Sequence, residues 1–197
     1  ESGIGGLAFA SGMAATHTAV MLLSAGDHIL AGRDIYGGTY RLLHRVVDRY
    51  NVKVSLVDTT DLAAVAAAIR PETKMLWLES PGNPQMSITD LEAVSKLAHE
   101  RGLLVGVDST FATPVLTRPL ALGADIVMHS ATKYFGGHSD ALGGALVVKD
   151  PELFKQLYFV QNATGGVLGP FDSFLVSRGL KTLELRVREQ SRTASLL

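Results

Sequence analysis

The sequence contains no cysteine. A chain without thiols has no disulfide framework, no thiolate nucleophile and no cysteine-ligated metal. An excess of charge of one sign is missing too, because 18 Lys and Arg residues face 19 Asp and Glu residues, for a net charge of −1. Nucleic acids and anionic lipid surfaces attract proteins that carry a strong basic excess. We therefore expect neither kind of partner.

A long uninterrupted apolar run is also missing. Residues 7–25 carry no formal charge, but polar side chains such as Ser11 and His17 interrupt them. This pattern favours a helix buried in a globular protein over a membrane span. The first three residues include no basic region ahead of an apolar run, as a secretory signal would. We expect a cytoplasmic protein with no membrane partner.

Several common motifs are absent. No GxGxxG follows a strand pattern, no GxxxxGK[ST] occurs, and the six histidines show no HExxH spacing. The run 137–141, Gly-His-Ser-Asp-Ala, lacks only the final glycine of the GxSxG nucleophile elbow. A serine hydrolase built on Ser139 therefore stays open as a remote alternative, and so does a catalytically inactive assembly fragment.

Short apolar runs alternate with amphipathic ones along the chain, and apolar residues make up 47% of it, which predicts a packed core. The pattern predicts strands at 29–31, 53–57, 74–78, 103–107, 125–128 and 144–148, and helices at 11–24, 38–50, 61–69, 89–101, 151–161 and 171–178, with a further helix starting near 181. Repeated strand–helix alternation predicts an α/β fold with a mostly parallel sheet flanked by helices. Ligands of such sheets bind at the carboxyl ends of the strands.

Three strand ends carry candidate chemistry, and one of them is the end of the run 74–78, which leads into Glu79 and the Asn83-Pro84 loop. Asp108 directly follows the apolar run 103–107, and Ser130, Thr132 and Lys133 follow the run 125–128. Two hydroxyls beside an ammonium group would suit a phosphate. A carboxylate and a lysine amine at neighbouring strand ends could face one cleft.

Two other positions would complete a site for a flat, phosphorylated ligand. Gly12 and Met13 open an apolar helix, where free backbone N–H groups and the helix dipole favour an anion. Tyr36 lies in a glycine-flanked loop, from which its ring can stack on a flat ligand. Together these groups predict pyridoxal 5'-phosphate as the cofactor, which needs a lysine for its aldehyde and a carboxylate for its pyridinium nitrogen.

The segment Ser-Ala-Thr-Lys-Tyr at 130–134, followed by Gly-Gly-His-Ser-Asp at 136–140, resembles the lysine motif of the pyridoxal-phosphate enzymes of cysteine and methionine metabolism. This family includes the cystathionine γ-synthases, the cystathionine lyases and the methionine γ-lyases. The resemblance extends over further ordered motifs at 10–15, 36–39, 79–84, 107–114 and 169–172.

The resemblance implies roles for the residues at these motifs. It makes Lys133 the Schiff-base lysine and the proton carrier at Cα, and Asp108 the partner of the pyridinium nitrogen. It makes Tyr36 the stacking ring and a candidate acid or base. Asn83 would form a hydrogen bond near the ring hydroxyl. The family usually has Asn directly after the aspartate, where this chain has Ser109.

The phosphate group has its own set of implied ligands. Gly12 and Met13 would donate backbone N–H groups, and Ser130 and Thr132 would add hydroxyls. Each of these residues also has a structural alternative: the glycine could serve a tight turn, and the hydroxyls could satisfy turn backbone groups.

The resemblance also implies the organisation of the protein. It implies the large domain of a fold-type-I pyridoxal-phosphate enzyme, with a seven-stranded sheet, over residues 1–180. Residues 181–197 would start a linker helix to a C-terminal domain. The family assembles as homotetramers, dimers of dimers, whose phosphate site is completed by an N-terminal arm of the neighbouring subunit. We expect the 197-residue chain by itself to bind the cofactor weakly and to be inactive.

The implied reaction is C–S bond chemistry on a sulfur amino acid or an activated homoserine, of the cystathionine γ-lyase or γ-synthase type. Methionine γ-lyases of the family resemble Tyr-Gly-Cys-Thr at the tyrosine loop, whereas this chain has Gly38 in place of the cysteine. The glycine favours cystathionine chemistry. Methionine γ-lyase and cystathionine β-lyase remain the alternatives.

Overall fold

The computed structural model describes all residues, 1–197. Its centre is a seven-stranded sheet with the strand order β1-β7-β6-β5-β4-β2-β3. The strands are β1 Gly5–Phe9, β2 His28–Gly32, β3 Lys53–Val57, β4 Thr73–Glu79, β5 Leu104–Asp108, β6 Ile126–Ser130 and β7 Gly144–Val148. Five neighbouring strands, from β3 to β6, are parallel, and β7 and β1 add antiparallel pairs at one edge. The predicted α/β fold with a mostly parallel seven-stranded sheet is confirmed.

Helices cover both faces of the sheet. They are α1 Gly12–Val20, α2 Gly37–Arg45, α3 Leu62–Ala68, α4 Leu91–His99, α5 Thr113–Leu116, α6 Pro151–Thr164, α7 Pro170–Leu180 and α8 Leu183–Ala194. Two short 3-10 helices, Val47–Tyr50 and Pro119–Leu122, and a π-helical turn, Ala131–Phe135, complete the secondary structure. No helix of the chain has the length and hydropathy that crossing a bilayer requires.

Alternation along the central strands divides the apolar core into two layers. In β4, Met75 and Trp77 lie on the face covered by α1, α2 and α6, whereas Leu76 and Leu78 lie on the face covered by α3 and α4. Successive side chains of a strand point to opposite faces, so a strand with helices on both sides must be apolar at every position. This is why the central strands appear in the sequence as continuous apolar runs.

Some element boundaries differ from the sequence-based ones. Strand β1 was not predicted, because its Gly5-Gly6 start has low β-propensity and its pairing with β7 is a long-range contact. The helix predicted over 11–24 ends at Val20. The helix predicted over 38–50 ends at Arg45 and continues as the 3-10 turn Val47–Tyr50.

Candidate active site

The carboxyl ends of three parallel strands meet beside one cavity of about 320 Å³. Glu79 ends β4, Asp108 ends β5, and Ser130 ends β6. All eight residues selected from the sequence line this cavity: Gly12, Met13, Tyr36, Asn83, Asp108, Ser130, Thr132 and Lys133. The volume lies in the range of small-molecule sites.

One end of the cavity is built from the N-terminus of α1. Ser11 caps the helix: its side chain accepts the N–H of Ala14 at 3.0 Å, and its carbonyl accepts the N–H of Ala15 at 3.1 Å. The N–H groups of Gly12 and Met13 have no acceptor within the helix, as at any helix start. Free N–H groups together with the positive end of the helix dipole form an anion site.

Gly12 also allows a close approach between α1 and β6. A Cβ at position 12 would lie 3.0 Å from Cβ and 3.2 Å from Oγ of Ser130, closer than most Cβ contacts in proteins. The glycine therefore brings the Ser130 hydroxyl next to the helix N-terminus. The predicted phosphate donors at Gly12 and Ser130 thus lie at the same end of the cavity.

Lys133 lies in the π-helical turn that follows β6. The Gly136 N–H bonds to the carbonyl of Ala131, and the Gly137 N–H bonds to that of Lys133, both at 2.8 Å. A π-turn inserts one extra residue into a helical turn and is frequent at functional sites. The periodicity of the sequence did not predict this turn, which determines where the amine of Lys133 leaves the backbone.

The hydroxyl of Thr132 is occupied by the protein itself. It donates to the carbonyl of Gly143 at 3.2 Å and accepts the Gly143 N–H at 3.1 Å. These bonds tie the lysine turn to the start of β7. Thr132 thus has the structural role that the sequence left open for it, while still lining the cavity.

Asp108 is a buried carboxyl at the bottom of the cavity. Its Oδ1 accepts the N–H of Thr110 at 3.0 Å, and the hydroxyl of Thr110 accepts the N–H of Ser130 at 2.8 Å. Burial raises the pKa of Asp108 above its usual range. Because burial penalises the charged form, a cationic ligand beside this carboxyl would stabilise its ionised state.

Tyr36 directly precedes α2 and is 43% exposed. Its ring lies against Gly38, where a Cβ would clash with the ring and lie 2.9 Å from the sulfur of Met13. The glycine that distinguishes this loop from Tyr-Gly-Cys-Thr is thus the one that gives the ring its place. Asn83 approaches the same cavity from the 80–84 loop, which contains two cis prolines.

Six cavity residues had no role assigned from the sequence: Ser11, Glu79, Thr110, Phe111, Met128 and Leu142. Glu79 follows the predicted strand 74–78, and this position at a strand end is the sequence feature that indicates a place in the cavity. Ser109, where the family usually has Asn, does not line the cavity. It is fully buried, and its carbonyl lies 3.2 Å from Nδ1 of His129.

Ser139 lies in a second, more open cavity of about 480 Å³ that also reaches Lys133. The other polar side chains that line it include Arg186 and Gln190, but no histidine and no carboxylate. A serine nucleophile needs an adjacent base to activate its hydroxyl. Without a histidine this cavity holds no Ser-His-Asp triad, and its one amine, that of Lys133, also lines the first cavity beside Asp108.

The residues present fit pyridoxal phosphate. The cavity has an anion site at a helix N-terminus, a lysine amine, a buried carboxyl and an aromatic ring at its mouth. These are the groups that the phosphate, the aldehyde, the ring nitrogen and the flat ring require.

Known proteins with similar sequences include cystathionine lyases and synthases. The chain is 54% identical over its whole length to the cystathionine beta-lyase MetC of Bacillus subtilis (strain 168), of which it covers 50%. It is 52% identical over 95% of its length to a cystathionine gamma-lyase of the same organism, covering 49% of that protein. It is 49% identical over 95% of its length to a probable cystathionine gamma-synthase of Herpetosiphon aurantiacus, covering 59% of it.

A solved structure shares the fold. The crystal structure of cystathionine gamma-lyase from Lactobacillus plantarum, complexed with L-serine, superposes with a TM-score of 0.92 at 52% identity. The match covers 93% of this chain and 48% of that one, so the chain spans about half the length of the relatives it matches. The family of Cys/Met metabolism PLP-dependent enzymes matches residues 1–197. The chain belongs to this family, as its cavity and its ordered motifs indicated.

Proposed function

We propose that the protein is a pyridoxal-phosphate-dependent enzyme that cleaves or forms the C–S bonds of cystathionine, of the γ-lyase or γ-synthase type. The observation that carries the proposal is the meeting of Lys133, Asp108 and the α1 N-terminus in one cavity. The family and the named relatives support it.

The residues that would hold the cofactor follow from their places. Lys133 would bind the aldehyde covalently, and Asp108 would accept a hydrogen bond from the protonated ring nitrogen. Gly12 and Met13 would donate N–H groups to the phosphate and Ser130 would add its hydroxyl, whereas Thr132, whose hydroxyl donates to the Gly143 carbonyl, would line the site.

Asn83 would contact the ring hydroxyl, and Tyr36 would stack on the face of the ring. When bound, pyridoxal phosphate supplies a sink for the electron pair that the substrate Cα keeps after losing its proton. Lys133 would take that proton, since its amine reaches the cavity at the end of β6, and would carry it to the neighbouring carbon. Tyr36, at the mouth of the cavity, would protonate the leaving sulfur.

The substrate we propose is a small sulfur amino acid or an activated homoserine. Products identify the reaction, because γ-cleavage of cystathionine releases cysteine, 2-oxobutanoate and ammonia. In contrast, γ-replacement consumes cysteine and an O-acylhomoserine and forms cystathionine and the free carboxylic acid. The test is to supply the purified protein, in its full natural length, with each substrate and quantify these products. Methanethiol released from methionine faster than cysteine is released from cystathionine would contradict the proposal.

Cystathionine β-lyase is a second candidate, because the relative at 54% identity carries that name. Cleavage at Cβ would release homocysteine, pyruvate and ammonia. The same assay separates the two, since pyruvate and 2-oxobutanoate differ in mass by one methylene. Pyruvate as the main oxo acid would replace the γ-assignment by the β-assignment.

We also propose residues 1–180 as the cofactor-binding domain, with 181–197 starting a linker helix. Helix α8 has only Leu183 and Val187 buried, which supports a peripheral place for it. The protein would assemble as a homotetramer, a dimer of dimers. Exposed aromatic side chains on α6 and α7 support this assembly: Tyr158, Phe159, Phe171 and Phe174.

A further inference from the structure

Glu79 is a buried carboxyl that the proposed chemistry does not use. It is 7% exposed, ends β4, and lines the cofactor cavity. It takes part in none of the ion pairs of the chain. A buried carboxyl without a cation is costly, so its hydrogen bonds indicate what it does there.

The carboxyl of Glu79 contacts the backbone at Tyr36, directly before α2. Its Oε2 accepts the backbone N–H of Tyr36 at 2.8 Å, across 43 residues of sequence. Tyr36 occupies the N-cap position of α2 but makes no side-chain capping bond. The Glu79 carboxyl from β4 therefore accepts the N–H of the N-cap residue, the bond that a Glu at the N3 position makes in a capping box, at the helix end that favours negative charge.

The groups around Glu79 are mostly acidic. Asp108 is its register partner on β5, so the two side chains lie on the same face of the sheet. Asp34, before α2, is a second acidic neighbour, and Lys133 reaches the same cavity from the turn after β6. Burial first, and then the charge of Asp108, raise the pKa of Glu79 to about 8.

We propose that Glu79 is a positioning residue that holds Tyr36 over the cofactor cavity through the tyrosine's backbone N–H. The role of Tyr36 in this inference rests on the proposed function, whereas the hydrogen bond itself does not. An ionised carboxylate accepts a stronger hydrogen bond than a neutral acid. The bond to Tyr36 should therefore tighten when Glu79 loses its proton.

The test reads the Tyr36 amide directly, without turnover. The chain has five tyrosines, so the purified protein labelled with 15N-tyrosine gives a small set of amide signals. The variant Tyr36→Phe identifies the Tyr36 signal by its loss. We expect this signal to move downfield as the pH rises, with a midpoint near 8. The movement should vanish in Glu79→Gln and persist in Glu100→Gln, an exposed control.

Kinetics supply the second readout. Removing the acceptor in Glu79→Ala should lower kcat/KM about tenfold, which is the size of effect expected from the loss of one hydrogen bond. Glu79→Gln keeps an acceptor oxygen, so it should retain most of the activity below pH 7. Because the amide cannot ionise, the variant should lack the increase in kcat/KM that we expect for the parent protein as Glu79 loses its proton. We expect kcat to change more than KM, because Tyr36 acts on the leaving group.

The outcomes separate the two proposals. A Tyr36 amide that titrates unchanged in Glu79→Gln overturns the role of Glu79, whatever the substrate. A protein of full natural length that shows the amide titration but turns over none of the proposed substrates overturns the proposed function and leaves the positioning bond intact. If Glu79→Ala does not fold, the folded Glu79→Gln variant tests the role of Glu79. Its readouts are the titration of the Tyr36 amide and the pH dependence of kcat/KM.

Discussion

At the scale of single residues, Lys133 has the most specific expectation. Lys133→Ala should abolish the covalent attachment of pyridoxal phosphate, because no other lysine lines the cavity. The measurement is borohydride reduction followed by mass spectrometry of the chain. Lys74→Ala, an exposed lysine on β4, is the matched control and should still become labelled. A labelled Lys133→Ala chain would assign the anchor to a different lysine.

Asp108 is expected to affect the reactivity of the cofactor and not its binding. Asp108→Asn keeps the shape of the side chain but removes the charge that holds the ring nitrogen protonated. We expect turnover to fall by about 10²–10⁴, the range for a positioned acid–base partner, with the cofactor still bound. Asp48→Asn, at an exposed site on the 3-10 turn, provides the control. Unchanged turnover in Asp108→Asn would remove the assignment.

Gly38 gives a steric prediction at the same scale. In Gly38→Ala the new Cβ would clash with the ring of Tyr36 in its present place, so the ring must move away from the cavity mouth. We expect cystathionine turnover to fall while cofactor absorbance is retained. Gly37→Ala is a close control, because its Cβ would meet only Arg41, at an ordinary 3.5 Å. Equal losses in both variants would show that the loop backbone, and not the ring, is responsible.

At the scale of elements, the ends of β4 and β5 bring two carboxyls together. Glu79 has a pKa of about 8 in the folded chain, above its usual value of 4.5. Between these values the folded state binds more protons than the unfolded state, so the free energy of unfolding should fall as the pH rises. This stabilising contribution is complete below about pH 4.5 and lost above about pH 8.

The pH dependence can be measured by urea unfolding of the cofactor-free protein at pH 5 and pH 8.5. We expect the difference in the free energy of unfolding between the two conditions to shrink in Glu79→Gln, by roughly a few kcal/mol. The Glu100→Gln control should keep the wild-type difference. A wild-type difference that survives in Glu79→Gln would assign the titration to other groups.

At the scale of the whole molecule, the aromatic side chains of α7 predict self-association. Phe171 is 72% exposed and Phe174 is 63% exposed, and apolar patches of this kind are typical of protein interfaces. We expect the double variant Phe171→Ser, Phe174→Ser to have a lower mass in light scattering than the parent protein. Tyr50→Ser, an exposed aromatic on the 3-10 turn, should not change the mass. A mass unaffected by the double change would place the interface elsewhere.

The sequence by itself determined the fold class and the candidate site residues. Continuous apolar runs indicate parallel strands buried on both faces, and the polar residue after each run indicates the ligand edge. Asp108 and Lys133 could be selected in this way because each lies at or shortly after the end of a buried apolar run. The ordered motifs then indicated the family, which the comparisons confirm.

The tertiary structure alone decided the pairing of β1 with β7, the π-turn at Lys133, the bond from Tyr36 to Glu79 and the contact of the Tyr36 ring with Gly38. Each joins segments far apart in the chain or depends on a backbone path that no local pattern fixes. The periodicity of apolar residues indicates which face of an element is buried, because it depends only on the order of side chains within that element. It does not report which two side chains meet, because that depends on strand order and register.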